Sequence, residues 1–445
     1  MANVRAQNSI FHPDFRERVY WWGDWQPEQQ APEELPARAD VVIIGAGYCG
    51  ISAALELVKS RMRVVVLDAQ ALGAGASTMN GGQVSGIGGI AKIVADAGFT
   101  SDEETRSRFL TEAMESFTFA EHLIERLGNP CAYVRTGRFT AAWTPEHFAR
   151  LEQRAIFLNR YCGTPIELVP RSRQREEVGS DLYFGGTVTD AAGLVQPAQL
   201  YRALLAELRK TSTVISSATP AQEIERSGTA WRVVTPKGTI TAEEVIIATN
   251  GYTVAGNPLS RQIVPIASHM IATEELPTDV AAELIPKRRG VGDTPRVLTY
   301  YRLSPDGRRM LFGGRPRFTR TSTRKSAELL HEIMVLRFPQ IKSVRVTHAW
   351  NGLLGFTFDG LPHVGRKDGL SFALGCNGSG IAMMLYLGHV AARQIIDSTA
   401  PASIFASRNF APLPLYRGKP WFLPVLGTTY RALDRIDRLK AAVTA

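Results

Sequence analysis

The sequence has little cysteine, and its four cysteines lie far apart. Cys49, Cys131, Cys162 and Cys376 form no Cys-x-x-Cys pair, so their spacing predicts neither a zinc site nor a disulfide framework. This cysteine usage is typical of a protein in a reducing compartment, and we expect the chain to be cytoplasmic.

Two kinds of hydrophobic segment are also missing. The N-terminus, MANVRAQN, lacks the apolar core of a signal peptide. Residues 39–58 are apolar enough to resemble a membrane span, but their glycines and the strand–helix pattern argue against one. The tail is Pro-rich from residue 411 and ends in an amphipathic stretch. We favour packing of that stretch on its own domain over a peripheral contact with a membrane.

Clustered charge is absent as well, although the chain is basic. The net charge is +9 and the pI is about 9.5, values that could attract nucleic acid, an anionic membrane or an acidic substrate. The positive residues are spread along the chain, and no basic motif interleaved with aromatic residues stands out. We therefore interpret the charge as a basic solvated surface and expect no nucleic-acid partner.

What the sequence does contain is a pattern for binding a dinucleotide. With 445 residues, 44% of them hydrophobic, the chain can form two domains that share one ligand. Residues 41–44 are a continuous apolar run, as a buried parallel strand requires. Gly45, Gly47 and Gly50 follow, and a second apolar strand ends at Asp68. These glycines permit a tight turn beside a pyrophosphate, and the acid is placed to accept from a ribose hydroxyl.

Two further glycine-rich stretches bear on which dinucleotide is bound. Residues 71–90 are rich in Gly, Ala and Ser, which suggests backbone packed against a flat ligand. Residues 375–380 form a glycine-rich turn before a helix that begins at Ile381. The N-terminus of that helix would stabilise a reduced flavin, which is anionic around N1 and O2. Both stretches favour a flavin, whereas an NAD-dependent dehydrogenase is the alternative that Asp68 permits.

The overall pattern predicts an α/β fold. We expect a Rossmann-like FAD-binding domain with a second α+β substrate domain built on an antiparallel sheet, because residues 262–350 alternate strand-like runs with one helix. The predicted division is an N-terminal arm at residues 1–37, the FAD-binding domain at 38–135, 183–258 and 350–400, the substrate domain at 136–182 and 259–349, and a tail at 401–445. The aromatic residues of the arm either cover the cofactor or, as we favour, pin the terminus to the surface.

Ten motifs between about residues 18 and 430 together form a recognisable pattern. They are residues 20–22, 42–68, 75–83, 248–252, 301–302, 312–315, 350–352, 359–362, 375–380 and 416–422. Together they resemble the FAD-dependent amine and amino-acid oxidoreductases related to D-amino-acid oxidase, sarcosine oxidase and glycine oxidase. Within that family the chain is most similar to the γ-glutamylputrescine oxidase-type branch. The motifs are specific for the family but not for a substrate.

The resemblance implies bound FAD and hydride transfer from a substrate carbon to flavin N5. The FAD contacts that it implies are Gly45, Gly47, Tyr48, Cys49, Gly50, Asp68, Ser77, Asn80, Gly81, Gly82, Gln83, Gly378, Ser379, Gly380 and Ile381. Ser379 stands where the family often has histidine, so stabilisation of a flavin anion would depend on backbone amides and any nearby cation. Residues 350–362 hold no cysteine, so we expect non-covalent FAD. We expect no metal and assign no catalytic residue, because this chemistry needs placement above all.

The candidate substrate-binding residues come from the predicted antiparallel layer. Arg302 could bind a substrate carboxylate through its fork, or pair with a structural acid. Tyr300 and Tyr301 precede it, and Tyr301 points opposite to its two neighbours on the strand. His269 could lie over the flavin or in the pocket wall, although a structural role is more common for such a histidine. Phe356 is expected at the cavity or the flavin edge, with core packing as the alternative.

We therefore expect an enzyme that oxidises the C–N bond of a small amine or amino acid to an imine, which water hydrolyses. The substrate would be γ-glutamylputrescine-like or an N-substituted amino acid, and the acceptor oxygen or another oxidant. One alternative is a quinone-linked, membrane-associated amino-acid dehydrogenase. Another is a basic flavoprotein that mainly binds a polyanion such as RNA.

Overall fold

The computed structural model describes residues 9–32, 34–96, 99–100, 102–161, 163, 165–253, 256–319, 321–406 and 410–444. The strands are β1 Phe11–Arg16, β2 Arg38–Ile44, β3 Val64–Leu67, β4 Gln83–Ser85, β5 Arg138–Ala141, β6 Ile166–Val169, β7 Gly186–Thr189, β8 Ala192–Leu194, β9 Val214–Ser216, β10 Glu223–Ser227, β11 Ala230–Thr235, β12 Gly238–Ile247, β13 Val264–Thr273, β14 Gly290–Asp293, β15 Thr299–Leu303, β16 Met310–Gly314, β17 Val346–Phe356, β18 His363–Lys367 and β19 Leu370–Leu374. The helices are α1 Tyr48–Leu57, α2 Ala76–Met79, α3 Gly88–Val94, α4 Glu103–Arg126, α5 Pro145–Tyr161, α6 Pro197–Arg209, α7 Thr278–Leu284, α8 Thr323–Arg337, α9 Gly380–Ile396 and α10 Leu423–Thr444.

The first sheet contains the predicted dinucleotide-binding unit. Its main path is β10-β11-β12-β2-β3-β9, and β19 pairs with β12 and with β18. β2 lies parallel to both β12 and β3. Val41 and Ile43 belong to a hydrophobic core shared with α1 and α9, whereas Val42 and Ile44 belong to a core on the opposite face. The strand is therefore buried on both sides, which explains its continuous apolar sequence.

The second sheet has nine strands in the order β1-β17-β13-β16-β15-β14-β5-β7-β6. Most of its neighbouring strands are antiparallel, whereas β1 with β17 and β14 with β5 are parallel. One face packs on α8 through a core that includes Phe139, Tyr301 and Phe312. The α/β class and the second sheet are as the sequence predicts, and the predicted fold class is confirmed.

Two strands cross the domain boundaries predicted from the sequence. β7 lies between β5 and β6 in the second sheet, although residues 183–258 were expected in the FAD-binding domain. β17 stays paired with β13 as far as Phe356, beyond the predicted boundary at residue 350. Both differences arise because strand pairing brings together residues that are distant in the sequence.

The tail ends in the amphipathic helix α10, which packs on the rest of the chain. Arg296 forms ion pairs with Asp434 at 3.2 Å and Asp437 at 2.6 Å. Arg438 of the same helix donates to the carbonyl oxygens of Trp143 and Leu182. These contacts agree with packing of the tail on its own chain. Within the ranges that the structure describes, no helix is both long enough and apolar enough to cross a bilayer.

Candidate active site

A cavity of about 840 Å³ is lined by residues from both sheets. The first sheet contributes the turn after β2 and Asp68 after β3, and the second contributes Ser268 and Tyr300. The turn before α9 also reaches the cavity. Residues 219–224, which the sequence did not single out, line it as well. The cavity therefore joins the predicted dinucleotide site to the predicted substrate layer.

The glycine turn after β2 has the shape that a pyrophosphate needs. Gly45 has φ +110°, and a Cβ placed there would lie 2.8 Å from the carbonyl oxygen of Ala248. A Cβ on Gly50 would lie 1.9 Å from the carbonyl oxygen of Gly45, so this glycine allows α1 to pack close to β2. At Gly47 the nearest atom would be Oγ of Ser77 at 3.1 Å. The space beside Gly47 thus belongs to the cavity and is free for a ligand.

Asp68 is held at the end of β3 by the backbone. Its carboxylate accepts from the N–H groups of Ala46 and Gln70, each at 2.9 Å. Burial raises the pKa of this carboxyl group, while the two hydrogen bonds act in the opposite direction. Each carboxylate oxygen has a second lone pair for a ribose hydroxyl. These features fit the ADP half of FAD.

At the turn before α9, backbone amides and a cation come together. Gly378 has φ +94° and Ser379, the N-cap residue, makes no side-chain cap. The first N–H groups of the 17-residue helix α9 therefore remain available, and Gly380 and Ile381 line the cavity. Nη2 of Arg315 lies 2.7 Å from where a Cβ on Gly378 would be. Arg315 is thus a cation beside the turn, where Ser379 carries no charge.

Arg315 is the residue that the sequence analysis missed as a site candidate. It lines the cavity next to β16, and its Nε is shielded from solvent without a hydrogen-bond partner. Within the described part of the chain, no carboxylate lies within ion-pair distance of it. Burial lowers the pKa of its guanidinium group. The ring of Phe356 stacks below it, 4.7 Å from Cζ. Its only sequence signal was its place in the motif at residues 312–315.

The predicted FAD-binding residues mostly line this cavity. Gly45, Gly47, Tyr48, Cys49, Asp68, Ser77, Asn80, Gly81, Gln83, Gly378, Ser379, Gly380 and Ile381 do so. Gly50 and Gly82 do not, and for them the predicted direct contact is corrected. Gly50 serves the packing of α1, as described above. Gly82 has φ +66°, and its carbonyl oxygen accepts from Arg302 and from the N–H of Val195.

Of the substrate candidates on β13 and β15, Tyr300 reaches the cavity. Its hydroxyl lies 2.9 Å from Oγ of Ser268, and burial raises its pKa. The predictions for Tyr301 and His269 are wrong, because strand alternation places both on the opposite face. Tyr301 is buried in the core on α8, 3.0 Å from the hydroxyl of Tyr183. His269 is fully buried and borders no part of the cavity.

Arg302 lies on the cavity side of β15 but is covered, so the prediction of a substrate role is corrected. Its Nη1 donates to the carbonyl oxygens of Gly82 at 2.9 Å and Val195 at 2.8 Å. Its Nε donates to the carbonyl oxygen of Leu303 at 2.9 Å. The guanidinium group therefore fastens the glycine-rich segment to β15. Phe356 also lies outside the lining and contributes through its contact with Arg315.

The N-terminal arm contacts the same glycine-rich segment from behind. Trp21 is buried, and its Nε1 donates to the carbonyl oxygen of Asn80 at 2.8 Å. Trp22 donates from Nε1 to Oγ1 of Thr78 at 3.0 Å. Neither indole lines the cavity. The arm is therefore attached to the body of the protein, as expected. It is attached through the glycine-rich segment, which also forms part of the cavity wall.

None of the three cysteines that the structure describes takes part in a disulfide. Cys49, Cys131 and Cys376 are buried free thiols, and Cys162 lies outside the described residues. Burial raises the pKa of Cys49 to about 12 and that of Cys131 to about 11. Among the residues that the structure describes, no cluster of His, Cys, Asp or Glu could hold a metal ion.

A sheet with a dinucleotide cradle, joined through one cavity to a second sheet, is the arrangement expected of a flavoprotein oxidoreductase. Residues 40–394 match the family model described as "DAO: FAD dependent oxidoreductase". The chain belongs to this family of FAD-dependent oxidoreductases, which confirms the resemblance seen in the sequence.

Relatives and solved structures agree with this assignment. The γ-glutamylputrescine oxidoreductase of Escherichia coli is 30% identical over 406 residues, 90% of this chain and 93% of that protein. The probable oxidoreductase OrdL of Haemophilus influenzae is 29% identical over 376 residues, 82% of this chain and 85% of that protein. The glycine oxidase structure from Geobacillus kaustophilus has a TM-score of 0.69 at 21% identity, covering 85% of this chain and 99% of that one. This last likeness shows a shared fold.

Proposed function

We propose that the enzyme oxidises the C–N bond of a small amine that carries a carboxylate. The observation that carries this proposal is Arg315, a half-buried arginine on the cavity wall whose Nε is shielded and which has no acidic partner in the described part of the chain. Its planar fork matches a carboxylate with two parallel hydrogen bonds. A γ-glutamylputrescine-like compound and an N-substituted amino acid both fit this description. The names of the γ-glutamylputrescine and glycine-oxidising relatives support the same class.

The residues of the cavity fit FAD in one orientation. Gly47 and the first amides of α1 would hold the pyrophosphate, and Asp68 the ribose of the ADP half. Gly378–Ile381 and Arg315 would lie at the pyrimidine end of the flavin, where positive potential is useful. When bound, FAD supplies a two-electron acceptor that takes a hydride from the substrate carbon. We infer non-covalent binding, since residues 350–362 contain no cysteine.

The protein's own task is then to position the substrate and exclude water. Arg315 would bind the carboxylate, and the stack on Phe356 restricts its movement before the substrate arrives. The hydroxyls of Tyr300 and Ser268, 2.9 Å apart, offer a donor and an acceptor to the same substrate. Such fixed placement brings a carbon to the near-attack distance of roughly 3–3.5 Å.

Anaerobic flavin bleaching tests this function. The purified yellow protein is mixed without oxygen with polyamine derivatives, N-methyl amino acids, and D- and L-amino acids. We expect loss of flavin absorbance with carboxylate-bearing amines. The matched control is the corresponding amine without its carboxylate, which should bleach the flavin far more slowly. Bleaching at equal rates by both members of each pair would contradict the role of the carboxylate.

A further inference from the structure

The cavity is lined by further cations besides Arg315. Lys92 on α3, Arg138 on β5 and Arg154 on α5 all border it. In the described ranges, no ion pair joins Lys92 or Arg138 to a carboxylate, whereas Asp96 acts on Arg154 as an opposite charge. Lys92 and Arg154 act on each other unfavourably, and Arg315 adds to this repulsion. Lys92 and Arg138 thus border the cavity without an ion-pair partner among the described residues.

Arg138 is the best-defined member of this group. Its Nε is shielded from solvent and has no hydrogen-bond partner. Burial lowers the pKa of the guanidinium group, and Asp293 is the carboxylate that opposes this shift. Asp293, however, is already bound to Arg337 at 2.6 Å and to Oγ1 of Thr299 at 2.6 Å. The nearest acid thus serves another cation, and Arg138 is left without a counterion of its own.

The surroundings of Arg138 offer more polar groups to the same space. Thr140 follows it on the same face of β5, and Thr189 is its register partner on β7. Thr140, Thr187 and Thr189 all line the cavity. Hydroxyl groups beside a guanidinium group are suited to bind the second oxygen of a carboxylate.

Other arginines on the cavity wall show that the chain can neutralise such a charge. Arg296 is paired with Asp434 and Asp437, and Arg150 is paired with Glu146. A buried cation without a partner is costly for the folded state. Leaving Arg138 unpaired is therefore a cost that an incoming anion would offset.

We propose that Arg138, with the threonines beside it, forms a second anion-binding site for the substrate. The substrate then carries two anionic groups: a carboxylate bound by Arg315, and a second carboxylate bound by Arg138. Its class is a dicarboxylic amine or an acidic amino acid. This inference rests on the proposed function, because it assumes that the cavity receives the substrate.

Ligand titrations of the FAD-loaded protein test the second site. Succinate, glutarate and adipate are compared with butyrate, valerate and hexanoate, which match them in length but carry one carboxylate. Binding is measured from the change in flavin absorbance. We expect the best dicarboxylate to bind about tenfold to a hundredfold more tightly than its monocarboxylate partner. Equal affinity within every pair would overturn the proposal.

Variants assign that preference to Arg138. Arg138→Met should abolish the preference for dicarboxylates and leave the Kd of the monocarboxylates unchanged. Arg150→Met is the matched control, since Arg150 borders the cavity but is paired with Glu146, and it should preserve the preference. A preference that survives Arg138→Met would also overturn the proposal. If Arg138→Met fails to retain FAD, Arg138→Lys replaces it and should reduce the preference, because lysine keeps the charge without the fork.

Two further readouts separate this inference from a structural role and from the proposed function. Arg138→Met should keep or raise the Tm, because it removes a half-buried charge without an ion-pair partner, whereas loss of a structural arginine would lower it. Arg315→Met should weaken both members of each ligand pair. If monocarboxylate binding does not depend on Arg315, the proposed function fails. If monocarboxylate binding depends on Arg315 but Arg138→Met does not change the preference for dicarboxylates, only the proposal of a second site fails.

Discussion

Arg302 and Arg315 show that two residues of the same type can have different roles. Arg302 and Arg315 have the same side chain and lie on adjacent segments of the second sheet. All three hydrogen bonds recorded for Arg302 go to carbonyl oxygens, whereas Nε of Arg315 has no partner. The two residues therefore differ in their surroundings. Backbone carbonyl groups cover Arg302, whereas Arg315 is open to the cavity.

At this scale we expect Arg315→Met to lower kcat/KM by about tenfold to over a hundredfold, the value of one lost charge-assisted contact. Most of the effect should be in KM if the group binds ground state and transition state alike. Arg315→Lys should recover part of the loss, since lysine keeps the charge without the fork. Steady-state kinetics on the best substrate of the bleaching panel measure this. An unchanged KM would remove Arg315 from the substrate site.

For Arg302→Met the expected effect is on stability. The variant leaves the buried carbonyl oxygens of Gly82, Val195 and Leu303 without this donor, a loss of about 1–3 kcal/mol in the free energy of unfolding. Urea unfolding of the purified variant measures it, and KM serves as the internal control. If Arg302→Met has normal stability but a raised KM, Arg302 binds the substrate after all, and the structural role is contradicted.

His269 gives a pH-dependent prediction. Burial lowers its pKa to about 4, from an ordinary value near 6.5. Between these two pH values the unfolded chain binds a proton that the folded protein does not, so stability falls as the pH is lowered from about 6.5 to about 4. The contribution is roughly 3 kcal/mol in all. His269→Asn should lose less stability than the wild-type protein across this window, as measured by urea unfolding at a series of pH values. If the free energy of unfolding changes equally with pH in the variant and the wild-type protein, the lowered pKa of His269 is contradicted.

At the scale of elements, the β2–α1 turn combines two uses of glycine. Gly45 and Gly50 are required by backbone contacts, while Gly47 keeps space open on the cavity side. The arm and Arg302 then hold the glycine-rich segment that forms another wall of the same cavity. The segments that form the cavity wall are thus each held by contacts on the side away from the cavity.

Gly47→Val should abolish FAD binding while leaving the apoprotein folded. Gly47 has an extended backbone that valine can adopt, and the nearest atom to the new Cβ is 3.1 Å away. The branched side chain would instead occupy the space of the pyrophosphate. FAD stoichiometry and circular dichroism of the apoprotein are the measurements. Gly23→Val is the control, since a Cβ on Gly23 meets nothing within 4 Å. Full FAD content in Gly47→Val would show that the dinucleotide site is misplaced.

On the scale of the whole molecule, the basic charge has a specific location. The net charge is +9, and Lys92, Arg138, Arg154 and Arg315 place part of the positive charge on the cavity wall. The charge is thus not confined to the solvated outer surface that the sequence suggested. A cavity with this potential raises the local concentration of an acidic substrate.

Residues 350–362 contain no cysteine that could be linked to the flavin, so the cofactor should be held by shape and charge alone. We expect precipitation with acid to release the FAD into the supernatant, because unfolding separates the two sheets. Absorbance of supernatant and pellet measures this. Yellow colour that stays with the pellet would show a covalent link and contradict the prediction.

The sequence by itself determined the family, the glycine turn after β2 and the helix that follows the glycine-rich turn at residues 375–380. These features are local: a glycine pattern, an apolar run and an acid at a strand end are readable within one βαβ unit. The sequence also predicted that Tyr301 would point away from its neighbours, because alternation along a strand is a local property.

The tertiary structure alone decided which polar side chains reach the cavity. Arg302 and Arg315 differ in what covers them, and the cover of Arg302 comes from Gly82 and Val195, far away in the chain. Arg138 is likewise unpaired because Asp293 is bound to Arg337. Each outcome depends on contacts between residues distant in sequence, which no local pattern contains. The glycine turns that line the cavity were therefore predictable, whereas the polar side chains that reach it depend on the packing of two sheets.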